Sequence, residues 1–193
     1  MEILGQREGF MKRFVIALSV AALIYPVVAS AQTPAPKPAP ELKKLQVLVG
    51  HWTYEGEYKA GPLGPGGKIT GEYTGQMILG GFFLRGQSTE KGTMGETRFL
   101  EIDGYDPVNK NYVSTMYGDD GSTFSGVVTV SGNTLTWAGK FTVAGKQYLF
   151  KEPFILAPDL MSATAKAEIS VDGKTWAPFF EGQFTKAKPA AKK

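Results

Sequence analysis

From His51 onward, apolar and polar residues alternate along the chain. Trp52, Tyr54 and Tyr58 alternate with Thr53, Glu55 and Glu57; Ile69, Tyr73, Met77 and Leu79 keep the same rule. It returns at Leu135, Trp137, Phe141 and Val143, then at Tyr148, Phe150, Phe154 and Leu156, then at Trp176, Phe180 and Phe184. A period of two is the mark of strands with one buried face. Clusters of turn-forming residues recur every ten or so positions: GPLGPGG, LGG, EKGT, DPVNKN, GDDGS, SGN, VAGK, APD and VDGK. Together they predict about ten antiparallel strands joined mostly by hairpins. No helical stretch separates any pair, which argues against a parallel sheet. Ahead of the strands, Leu42, Leu45, Leu48 and Val49 predict a short amphipathic helix after Pro40, ended by Gly50. A short helix followed by a regular meander predicts an all-β fold, an antiparallel up-and-down barrel closed on itself. A β-sandwich is the alternative.

The flanks carry different information. Met11-Lys12-Arg13 is a short basic start, Phe14 to Val28 is an apolar run broken by Ser19 and Pro26, and Ala29-Ser30-Ala31 is an A-x-A site before Gln32. That order is a secretory signal peptide, so residues 1–31 are expected to be removed and the mature protein exported, to the periplasm or beyond. The run is short for a bilayer span and no second one follows, so no membrane span is expected. Residues 1–10 place two acids ahead of the basic start, which fits translation beginning at Met11. Gln32–Pro40 reads QTPAPKPAP, an extended Pro/Ala-rich linker, and residues 187–193 form a Lys-rich tail.

Composition narrows the chemistry. The chain of 193 residues contains no cysteine and one histidine, His51. Disulfides, thiolate nucleophiles and Cys-ligated zinc are therefore excluded. The formal net charge is +3. Leader, linker and tail carry that excess: residues 41–185 hold thirteen bases against sixteen acids. A basic nucleic-acid-binding face is not supported.

Leu48-Val49-Gly50-His51-Trp52 resembles the G-x-W opening of lipocalin-like (calycin-type) barrels, with Gly50 and Trp52 in structural positions. With MILGGFFLRG at 77–86 and GYDPVNKNYVST at 104–115, the chain resembles a bacterial family known as domain of unknown function 1579, over roughly residues 42–186. The resemblance implies a lipocalin-like barrel and carries no established catalytic residues. Some related barrels bind haem through a late histidine; none follows His51, so haem held that way is not expected, and no cofactor is predicted. The lipocalin pattern also often stacks an arginine near the last strand on the G-x-W tryptophan. Residues 176–185 contain none, so that support is absent or replaced.

Strand parity supplies site candidates. If Trp52 points inward, so do Tyr54 and Tyr58. Strand 94–102 puts Met94, Glu96, Arg98, Leu100 and Ile102 on its more apolar face, and Glu152 sits among Tyr148, Phe150, Phe154 and Leu156. Charged residues on an apolar face are paired, solvated or used. Glu96, Arg98 and Glu152 are thus candidates for a polar cluster in a lumen, with Arg98 as a carboxylate anchor, or for an internal salt bridge; outward-facing strands are the alternative. Tyr54, Tyr73 and Trp137 are candidate cavity walls. Ala163, Ala165 and Ala167 leave room for a cavity or for large rings opposite. His51, on the opposite parity to Trp52, faces outward. Asp103-Gly104-Tyr105-Asp106 and Asp119-Asp120-Gly121 lack EF-hand spacing and read as turns. Gly61–Gly67 lacks a phosphate-loop pattern and reads as a lid or hairpin loop.

Three functions fit these residues. The first is an exported barrel that binds a small, partly apolar molecule in its lumen. The second is an enzyme with Glu96 and Glu152 as acid and base. The third is a structural or interaction module with a filled barrel.

Overall fold

The computed structural model describes residues 35–93 and 95–188. The expected leader (1–31), the start of the linker, Met94 and the last five tail residues lie outside the described residues.

Ten strands occur among the described residues: β1 (Gly50–Tyr58), β2 (Gly67–Ile78), β3 (Phe83–Gly92), β4 (Gly95–Asp106), β5 (Asn111–Gly118), β6 (Thr123–Ser131), β7 (Thr134–Val143), β8 (Lys146–Leu156), β9 (Ser162–Ser170) and β10 (Ala177–Lys186). Each pairs antiparallel with its sequence neighbours, and β10 pairs with β1 to close the barrel. Closure leaves no open sheet edge, so no strand exposes a row of unpaired backbone groups. The sandwich alternative is thereby overturned.

The N-terminal helix, Pro40–Leu48, is a 3-10 helix. Its sequence explains the choice: Leu42, Leu45 and Leu48 are three apart, and at three residues per turn they fall in one row. All three are buried against the barrel end. The Tyr112 hydroxyl donates to the Glu41 carbonyl at 2.8 Å, and the Trp52 indole N–H donates to the Leu48 carbonyl at 3.3 Å. Trp52, 1 % exposed, and the helix together stopper this end.

Inward positions follow the alternation along most strands. Trp52, Tyr54, Ile69, Leu84, Tyr112, Phe124, Val128, Leu135, Trp137, Phe141, Phe154 and Leu156 form one core with the alanines of β9. Small residues opposite make space for the rings. Ala163 pairs with Phe184, Ala165 lies beside Phe154, and Ala167 pairs with Phe180. Gly71 lies directly opposite Tyr54, and a methyl group on Gly86 would come within 2.5 Å of the Tyr73 ring.

Three local expectations are corrected. Leu79 leaves the strand pattern: it stands on a short 3-10 turn after β2, at φ 49, and is exposed. Trp176 precedes β10, and a bulge between Pro178 and Phe180 breaks the expected parity; Trp176 instead lies under the Lys151 ammonium, 4.3 Å from ring centre to nitrogen. The third correction concerns β4. Its inward face is Thr97, Phe99, Glu101 and Asp103, and Leu100 is exposed. Pairing fixes this, because residues directly opposite in antiparallel strands share a face. Asp103 lies opposite buried Leu84 on β3 and buried Ser114 on β5.

Candidate functional site

The barrel encloses a cavity of about 200 Å³. Rings make up most of its wall: Tyr54, Tyr58, Phe99, Phe124, Phe150, Phe154 and Phe184 among them. Edge-on contacts lock several of these rings, such as Phe154 with Trp52, Trp137 and Phe184 at centroid distances of 5.9, 6.2 and 5.0 Å. A second hollow, about 160 Å³, lies at the barrel end opposite the helix, where Leu63 of the β1–β2 connection, Thr93, Asp120 and Val143 form its rim. Tyr58, Glu90, Phe99, Phe141 and Phe179 line both spaces, so the two hollows adjoin.

The expected polar cluster is divided by the barrel wall. Glu96 and Arg98 lie outside. Arg98, its side chain 68 % exposed, pairs with Glu96 at 2.7 Å, and Glu96 also pairs with Lys91 at 3.3 Å. Arg98 is therefore no lumenal anchor, and Glu96 cannot work with Glu152 as an acid–base pair. Glu152 faces the cavity, as do Tyr54, Tyr73 and Trp137. His51 is exposed and lies 3.3 Å from the Thr74 hydroxyl. Among the described residues, no group of three or more Asp, Glu and His is arranged to hold a metal ion.

Three further inward acids escape sequence reasoning: Glu90, Glu101 and Asp103. Glu90 stands at the polar end of β3, where its neighbours give no apolar signal. It accepts hydrogen bonds from the Tyr54 hydroxyl at 2.9 Å and the Tyr58 hydroxyl at 2.6 Å. Burial raises its pKa and the two phenols only partly offset that. Both phenols are themselves pushed up, first by burial and then by the Glu90 charge. Glu101 and Asp103 fall on the less apolar face of their strand or in a turn when read from sequence. Burial raises Asp103 to about 6, and Glu101 is raised by burial and by its neighbour Asp103. The Ser114 hydroxyl donates to Glu101 at 3.2 Å, while the Trp137 indole N–H lies near the pair without closing a well-formed hydrogen bond. The Tyr73 hydroxyl is buried and has no hydrogen-bond partner among the described residues.

Both carboxylate oxygens of Asp103 are buried without a hydrogen-bond partner among the described residues, but Glu152 is the unpartnered acid that lines the cavity. No described side chain bonds to it, and burial, followed by the Glu90 charge, raises its pKa to about 7. Among the described residues lining the cavity there is no Lys, Arg or His. The interior is thus an aromatic chamber holding acids and phenols without a counter-cation.

At the closed end, the missing arginine has a replacement one residue beyond the stretch 176–185. The Lys186 ammonium lies 5.2 Å from the Trp52 ring centre and donates to the Val47 carbonyl at 2.7 Å. It ties the last strand, the tryptophan and the helix together.

Helix, closing tryptophan and covering cation define a lipocalin-like β-barrel with an internal cavity. The chain belongs to the family described as protein of unknown function (DUF1579), whose pattern matches residues 37–186. No curated protein matches it. Among solved structures it is similar to the crystal structure of Rv2717c from M. tuberculosis, with a TM-score of 0.58 and 14% identity over 79% of this chain and 100% of that one. That likeness is one of fold. A de novo designed fluorescence-activating β-barrel aligns with a TM-score of 0.39 and 12% identity over 74% of this chain and 95% of the design. No described helix is long and apolar enough to cross a membrane.

Proposed function

We propose that this protein is an exported carrier or receptor that holds a small, partly apolar molecule inside the barrel. The observation that carries the reading is the cavity of about 200 Å³ in a wall otherwise packed with rings. A protein interior normally closes to crystal-like density, so a void of this size with polar atoms on its wall leaves room for a molecule smaller than a drug-sized ligand. A filled structural barrel would have no such space. Its apolar walls favour a ligand with an apolar body, and its few polar groups favour one polar end. Export rests on the leader, with cleavage between Ala31 and Gln32.

Native mass spectrometry of the protein taken from the periplasm of its own host tests both parts. The expected spectrum shows a chain starting at Gln32 and a second species heavier by a small organic molecule. A chain that retains residues 12–31 removes the export reading. Absence of added mass, together with no saturable binding of small apolar probes, removes the carrier reading.

A further inference from the structure

Resting on the lumenal reading, we propose that the ligand's polar end is a cationic amine, held by Glu152 and Glu90 with its apolar body among the rings. Three observations converge on this. Glu152 is enclosed by the barrel, faces the cavity and has no hydrogen-bond partner among the described residues. Glu90 faces the same cavity, and its two phenol bonds orient it without neutralising it. Among the described residues lining the chamber there is no Lys, Arg or His, so none of them supplies a positive partner for Glu152.

The alternatives fit less well. A carboxylate ligand needs a positive anchor, and Arg98, the expected one, pairs with Glu96 on the outer surface. A metal ion needs several ligands converging on one point, and no such group occurs among the described residues. An ammonium needs only one or two acceptors and gains further from aromatic faces. Tyr54, Trp137 and Phe154 line the cavity together with Glu152. Repulsion acts in the same direction. Glu152 feels Glu90 on β3, and Glu101 on β4 feels both Asp103 and Glu152. The other titratable groups facing this space are Tyr54 and Tyr58 on β1 and Tyr73 on β2, all neutral. One cation bound between Glu152 and Glu90 relieves the repulsion between those two.

The test uses the full chain and two matched sets of probes, one on a phenylethyl body and one on an octyl body. Each set contains the primary amine, the alcohol and the carboxylate of equal length, titrated calorimetrically at pH 8. The expected order is amine tightest by at least about tenfold over the alcohol, with the carboxylate weakest. Glu152→Gln is expected to remove the amine's advantage over the alcohol. On the unaltered protein, the amine-to-alcohol affinity ratio is expected to rise between pH 6 and pH 8, as Glu152 ionises. A carboxylate that binds as tightly as the amine overturns this inference and leaves the lumenal reading standing. So does an alcohol equal to the amine, or a ratio flat with pH. If no member of either set binds, the lumenal reading falls, and this inference with it.

Discussion

Replacing Glu152 with glutamine tests whether the barrel encloses an acid that it does not neutralise. Glutamine keeps the shape of the side chain and removes its charge. In the folded protein the Glu152 pKa is raised from 4.5 to about 7. An acid with a raised folded pKa holds more protons in the folded than in the unfolded chain, so stability falls as pH rises. Its contribution is fully present below pH 4.5 and is lost as pH climbs through about 7. The shift corresponds to about 3 kcal/mol, at about 1.36 kcal/mol per pKa unit. The stability of Glu152→Gln relative to the unaltered chain should therefore increase by about 3 kcal/mol between about pH 4 and pH 8.5. In a protein of this size that amounts to roughly 6–12 °C in melting temperature. Urea unfolding curves for both proteins at half-unit pH steps measure it. Asp103, Glu101 and Glu90 titrate in both proteins, so the comparison reads Glu152 together with its coupling to Glu90 and Glu101. A difference that stays constant within about 0.5 kcal/mol across the range would falsify the reasoning, because it would mean that Glu152 reaches water or a cation.

Three other substitutions probe separate parts of the molecule. Gly86→Ala pushes a methyl group to 2.5 Å from the Tyr73 ring, and should cost about 1–3 kcal/mol by overpacking, read from chemical denaturation; an unchanged midpoint would show that Tyr73 swings away freely. Arg98→Ala breaks only an exposed ion pair, so stability should change by less than about 1 kcal/mol and probe binding in the lumen should not change; a loss of binding would place Arg98 in the site after all. Lys186→Met removes both the ammonium over Trp52 and the donor to Val47, and should cost about 1 kcal/mol while altering Trp52 fluorescence. The absence of both effects would mean that the helix and tryptophan hold the closed end without it.

Much of the architecture is determined by the sequence alone. Period-two alternation between closely spaced turns leaves little but antiparallel hairpins, and leucines three apart favour one row on a 3-10 turn. Trp52, Tyr54, Tyr73, Trp137 and Glu152 fall on the lumenal side because their strands alternate cleanly around large rings. The family motifs at 48–52, 77–86 and 104–115 place the chain where its family match places it.

What only the tertiary structure decided is the sign of the site. On β4 both faces carry apolar and charged residues, so hydrophobic pattern cannot choose between them. A shift of one residue exchanges them entirely. The choice comes from pairing with the two neighbouring strands: Leu84 on β3 and Ser114 on β5 lie opposite Asp103, and Glu101 follows with it. That pairing sends Arg98 to the surface and leaves four acids inside. The charge of the lumenal wall is therefore acidic, with the candidate anchor Arg98 outside it, and the hydrophobic pattern of β4 alone does not contain that information.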